Sequence, residues 1–253
     1  MEYTLATYLL RLPAIILGII IGYLALSVYR ITKGGSSGWY YLTSAGAFLF
    51  LWSASTMLFS LVDVPVARYI SGIIFLLGMG VAFPLCLTKL LEDFGARKPK
   101  WLNVPVVLII LAGIYIVILL ANIISGNFSE PLITLLSISH IMLGIGHIIA
   151  ILPAFLLSRA TKQRPWKLML VFAVILGVGI NLGQYYVNCC SEDEEFSQKE
   201  LCVGYDLDYS KIYNLPCIGW VVSLGKYYQI SLFLGIIILP IAIYQLNCRL
   251  RFL

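Results

Sequence analysis

The chain has 253 residues, 60% of them apolar and only 11% charged, with a mean hydropathy of +0.94 and a net charge of +5. A soluble domain of this size carries about a quarter charged residues, and one water-soluble core cannot hide so much apolar surface, so a water-soluble globule is excluded and lipid must cover the excess. The positive total by itself would fit nucleic acid, but its sign is segregated along the chain, which a membrane explains better, and no nucleic-acid motif is present.

A helix rises about 1.5 Å per residue, so roughly 20 apolar residues cross the hydrocarbon layer. Seven stretches free of Asp, Glu, Lys and Arg qualify. In chain order they are Leu12–Tyr29, Trp39–Val62, Tyr69–Thr88, Leu102–Ile124, Pro131–Ser158, Leu168–Asn188 and Tyr227–Cys248. The first follows a single arginine, Arg11, and runs too long for a cleavable signal, so it reads as a retained helix. It carries Gly18 and Gly22, and the sixth carries Gly179 and Gly183, the GxxxG spacing that lets two backbones approach closely, inside this bundle or across a dimer seam. Pro84, Pro153 and Pro240 sit in the third, fifth and seventh stretches, where each removes a backbone hydrogen bond and favours a kink. The runs are continuous rather than alternating, so the expected fold class is an all-α membrane protein, a single seven-transmembrane helix bundle over 1–253.

Lysine and arginine are retained on the cytoplasmic side during insertion. Arg30, Lys33, Lys89, Arg97, Lys98, Lys100, Arg159, Lys162, Arg164, Lys167, Arg249 and Arg251, 12 of the 17 basic residues, fall on one side; Arg11, Arg68, Lys199, Lys211 and Lys226 fall on the other. Ten of the 12 acidic residues lie opposite the basic side, which holds only Glu92 and Asp93. The amino terminus is therefore expected outside and the carboxyl terminus in the cytoplasm of a multi-pass cell-membrane protein.

Four of the six cysteines, Cys189, Cys190, Cys202 and Cys217, fall in the last outer loop, where an oxidising compartment lets them pair. Adjacent Cys189 and Cys190 do not bond each other readily, which leaves two connectivities open and makes 189–217 a stapled cap. Its acidic residues, Glu192, Asp193, Glu194, Glu195, Glu200, Asp206 and Asp208, outnumber Lys199 and Lys211, as in a solvated loop or one that attracts cations. Asn127-Phe128-Ser129 is a glycosylation sequon on the same side.

Ion coupling or proton pumping needs an ionisable group at membrane depth, and the spans hold no carboxylate or amine. HExxH and GxxxxGK[ST] are absent, and no nucleophile is nominated, so no catalytic role is expected. The outline of seven spans, with Ala67-Arg68-Tyr69 opening the third, is similar to that of microbial rhodopsins. A retinal Schiff base, however, needs a lysine midway along the last helix, and Lys226 precedes it. His140 and His147 share a face of the fifth helix about 10 Å apart, too far to chelate one metal ion. Haem ligation through either would require a partner chain or a methionine, and neutral histidines bonded inside the bundle are the plainer expectation.

Ser53, Thr56, His140, Asn181, Gln184, Tyr227 and Gln229 all fall in or near the outer halves of their spans. Polar groups converging among apolar walls form a small-molecule pocket, and His140, Asn181, Gln184, Tyr227 and Gln229 are the expected ligand contacts. Interhelical hydrogen bonds without a ligand explain the same residues.

Gly72–Leu87, GIIFLLGMGVAFPLCL, is a Gly-centred helix ending in an aromatic-Pro-Leu step, and Ser139–Asn181 joins a His-led helix through a basic link at Arg159–Lys167 to a helix ending in Gly-x-Asn. Both resemble the seven-helix sensory input module of membrane histidine kinases, over about a quarter of the chain. That resemblance implies a receptor-like bundle, and with no kinase domain in this sequence the signal would pass to a partner protein. Two rivals stand beside it. One is a channel or translocation subunit, for a neutral solute or a macromolecule such as imported DNA, in which small-residue seams assemble several copies or a partner around a path. The other is a haem-contacting or structural subunit of a larger membrane complex.

Overall fold

In a computed structural model, residues 5–62, 64–128, 130–192 and 217–250 are described, and all are helix or short link, with no strand among them. The helices are α1 (Leu5–Ile31), α2 (Gly38–Leu61), α3 (Pro65–Asp93), α4 (Val104–Ile124), α5 (Pro131–Thr161), α6 (Arg164–Glu192), a short α7 (Gly219–Gly225) and α8 (Tyr228–Leu250). Their limits follow local chemistry. Prolines open α3, α4 and α5, where a missing N–H costs nothing, and the Asn103 side chain caps α4 by accepting from the Val106 N–H at 3.0 Å. Gly95 and Gly126, at φ +61° and +75°, take the left-handed turns that end α3 and α4.

Six of these helices, α1 to α6, are long and apolar enough to cross a membrane, which makes the chain a polytopic membrane protein. The helices run past the uncharged stretches of the sequence: α3 takes in Lys89, Glu92 and Asp93, and α6 continues four residues beyond Asn188. Cys189 and Cys190 therefore sit on the last turn of a helix rather than in a loop.

Six helices close a ring in the order α1, α2, α3, α5, α6, α8 and back to α1, while α4 lies outside it against α3 and α5. The glycine seams are spent within the ring. Gly46 of α2 meets the backbone of Gly18 and Gly22 on α1, and Gly179 and Gly183 of α6 lie against Ser231 and Tyr228 of α8. The GxxxG motifs thus bind this chain to itself, which removes them as a dimer seam. By contrast α4 buries only Val107, Leu111 and Asn122, and turns Ile109, Val117 and Ile124 outward toward lipid.

At the end of the bundle that carries most of the basic residues, the charged groups of α3 and its flanking links are matched, while the hydroxyl of Thr88 is buried without a hydrogen-bond partner. Ser36, in the α1–α2 link, accepts from the Gly38 N–H at 3.0 Å and donates to Asp93 at 2.5 Å. Lys89 pairs with Asp93 at 2.8 Å, and Lys98 pairs with Glu92 at 2.9 Å while donating to the Leu102 carbonyl at 2.6 Å. Trp166 of α6 packs against Trp39 of α2 and Phe94 at the end of α3, so two ring contacts meet on one indole. The two acidic residues of this end are thereby used inside the fold, and Asn247 of α8 closes the ring by donating to Ser27 of α1 at 3.0 Å.

Candidate functional site

Helix α5 lies between α3 and α6, and glycines bring it close to both. Gly80 of α3 rests on the backbone of Met142, Leu143 and Gly146; Gly144 makes room for the Asn181 amide; Gly177 of α6 packs on His147 and Ile148. A side chain at any of these would collide with backbone or with a packed neighbour, so the small residues set the position of the polar ones.

His147 sits at the middle of this stack. Phe83 lies nearly parallel to its ring, with centroids 5.0 Å apart and planes at 18°, and Phe172 meets it edge-on at 5.4 Å. Its Nδ1–H donates to the Leu143 carbonyl at 2.7 Å. The ring is buried between two phenyl groups. His140, two turns away, is half-buried; its Nδ1–H donates to Leu136 at 3.0 Å, and its ring is edge-on to Trp52 of α2 at 6.2 Å.

Toward the disulfide end the interior holds many polar groups: Ser53, Thr56, Ser71, Thr134, Ser137, Ser139, Gln184 and Asn188 are all buried. Several are bonded locally. Ser139 donates to the Leu135 carbonyl at 2.7 Å and Ser71 to the Arg68 carbonyl at 2.9 Å, and the half-buried Asn181 donates to the Gly177 carbonyl at 2.7 Å. Three are not: Ser53 Oγ, Ser137 Oγ and Gln184 Nε2 are buried without a hydrogen-bond partner.

The expected ligand contacts separate into two groups. His140, Asn181 and Gln184 fall along the α5–α6 pair: with Asn181 beside Gly144 on neighbouring antiparallel helices, Gln184, one turn nearer the disulfide end, comes level with the turn holding His140. Tyr227 instead lies in the turn between α7 and α8 and is 59% exposed. Gln229 is on α8, and its side chain lies outside the described residues. Trp52 and Ser137 were not singled out by sequence reasoning. Ser137 precedes His140 by three residues, nearly one helical turn, a spacing that marks it as a neighbour once His140 is considered.

Above this region Cys189 is bonded to Cys217, with Cα atoms 5.7 Å apart, which selects one of the two open connectivities. Cys190 is also disulfide-bonded, and Cys202 and the acidic run 193–208 lie outside the described residues. The Ile218 N–H donates to the Tyr185 hydroxyl at 2.8 Å, and Tyr186, Val187 and Val222 form a small apolar cluster with the cysteines. Among the described residues no group of three His, Cys, Asp or Glu is placed to hold a metal ion. The sequon's Asn127 has its amide nitrogen buried without a partner, so that atom is closed to a glycan in the folded chain; Ser129 lies outside the described residues.

Comparison with known protein families, curated proteins and solved structures yields no match.

Proposed function

We propose that this chain is a receptor-like bundle of seven membrane-spanning helices, amino terminus outside and carboxyl terminus in the cytoplasm, that binds a small uncharged polar molecule among α2, α5 and α6 near the disulfide end and signals through a partner protein. The observation that carries this reading is the trio of buried, partnerless polar atoms on Ser53, Ser137 and Gln184. Each such atom costs about 1–3 kcal/mol, and no water reaches hydrocarbon to relieve it. A ligand would supply what is missing: a carbonyl or hydroxyl oxygen to accept from the Gln184 amide, and hydroxyl partners for the two serines. No carboxylate or amine lies in the uncharged stretches, which favours a neutral ligand.

Helix α8, with 23 residues at 1.5 Å rise, is about 34 Å long, enough for a seventh crossing. The basic residues gathered at one end support the orientation. The mid-bundle stack of Phe83, His147 and Phe172 weighs against a solute path through one copy, and the internal use of the glycine seams weighs against a conduit built on them. Sensing without catalysis also fits the resemblance of Gly72–Leu87 and Ser139–Asn181 to kinase sensory modules.

The test is a thermal-shift screen of the purified protein against small uncharged polyols, nucleosides and amides. At least one compound is expected to raise the melting temperature of the parent and to have no effect on Gln184→Leu. A panel that shifts neither protein, or shifts both equally, overturns the reading. Orientation is checked with Gln163→Cys in the α5–α6 link, expected to resist an impermeant maleimide in intact cells and to react after permeabilisation.

A further inference from the structure

Helix α7 has two unlike faces. Val222 and Gly225 are buried against the end of α6, and Gly225 approaches so closely that a Cβ there would stand 2.5 Å from the Leu182 carbonyl oxygen and from the Tyr186 side chain. On the opposite face Trp220, Leu224 and Tyr227 follow at intervals of four and three residues, exposed by 69%, 53% and 59%. The disulfide at Cys217 and the Ile218–Tyr185 hydrogen bond hold the start of α7 on α6, so this face is presented in a fixed direction.

From the structure we infer that α7 is an interfacial anchor whose Trp220, Leu224 and Tyr227 face lies in the headgroup boundary of the outer leaflet. Two observations select lipid as the occupant. The face continues without interruption into Ile230, Leu234 and Ile237, the exposed apolar side of α8 that the bilayer itself covers. The side chains also change along that line from the purely aliphatic Ile237, Leu234 and Ile230 to Tyr227 and, beyond Leu224, Trp220, with Lys226 at the turn between the helices, a mixture of aromatic and basic groups of the kind found where hydrocarbon meets headgroups. The anchor fixes the Cys189–Cys217 bond and the end of α6 at the membrane surface. It depends on the chain being a membrane protein and not on the ligand reading, which can fail independently.

The test uses the full chain in phosphatidylcholine liposomes, with the Trp220 emission obtained as the difference between parent and Trp220→Phe. Because this side chain is exposed, the substitution leaves the fold intact, which an unchanged circular dichroism spectrum checks. The Trp220 component is expected to be quenched roughly twofold more by lipids spin-labelled near the carbonyl than by lipids labelled near the chain end, and to be shielded from aqueous acrylamide. Quenching by acrylamide alone places the face in water and overturns the inference. Insensitivity to every quencher places it under protein, a second copy or the cap itself, and overturns it equally.

Discussion

The two ends of this bundle differ in how far buried polarity is met, with, among the described residues, one unmatched hydroxyl, on Thr88, at the basic end and several unmatched atoms at the disulfide end. At the basic end, Ser36, Lys89, Glu92, Asp93 and Lys98 satisfy one another across the α1–α2 link, α3 and the α3–α4 link. At the disulfide end, Ser53, Ser137 and Gln184 keep polar atoms without partners, near the Cys189–Cys217 bond that ties the start of α7 to α6. A matched network fixes one geometry, whereas unmatched groups leave an interaction to be made. That contrast supports the proposed reading, in which one end anchors the bundle and the other binds a ligand.

The largest expected effect comes from the covalent part of that contrast. The Cys189–Cys217 bond spans 28 residues of chain, and closing a loop of that size is worth about 3–4 kcal/mol in the chain-entropy account. Cys189→Ser should therefore loosen the cap and α7 while leaving the basic end as it is. Limited proteolysis should cut 193–216 faster, with unchanged protection of the α5–α6 link; equal loosening at both ends would show that the cap supports the whole bundle. Next comes Gly146→Ala, between the two ends. A methyl there would drive into the Gly80 carbonyl, and overpacking of this kind costs about 1–3 kcal/mol. The melting temperature should fall, and Gly113→Ala on α4, where a Cβ meets nothing, should leave it unchanged.

How much of this the sequence carried depends on the range of the interaction involved. Long uncharged runs bounded by basic residues marked the first six helices, because hydropathy is a local property and survives without knowledge of neighbours. Helix ends were less legible: α6 runs on through Cys189 and Cys190, since polar residues beyond the hydrocarbon can remain helical. Helix α7 was missed because seven residues give too little periodicity to stand out from a loop. Asn181 stood out as a polar residue in an apolar run, but its meeting with α5 rests on Gly144, whose role as a spacer shows only when the partner helix is present. Tyr227 was placed in the pocket by depth alone. Depth does not tell which way a side chain faces, and the turn before α8 turns it outward.

The matched end offers the next test. Ser36 both accepts from Gly38 and donates to Asp93, so Ser36→Ala strands a buried N–H and removes a charge-assisted bond, at a cost of about 1–2 kcal/mol. Chemical unfolding in detergent should show the loss. An unchanged midpoint would mean that Lys89 alone holds Asp93 in place, and the basic end would then be less interdependent than its geometry indicates.

The same change at the other end should act with opposite sign, and it is the smallest effect and the most discriminating. Ser137 is buried on α5 with a hydroxyl that bonds to nothing, so Ser137→Ala removes an unsatisfied group and leaves a void no larger than one oxygen. Deleting such a hydroxyl relieves desolvation that nothing offsets, and the void returns part of that gain, for a net stabilisation of about 0.5–1 kcal/mol. In the presence of a compound found by the thermal screen the sign should reverse, because the parent alone can then bond the ligand through this oxygen. Serine-to-alanine changes that cost stability at both ends would mean that Ser137 is bonded after all, and the division of labour between the two ends would collapse with it.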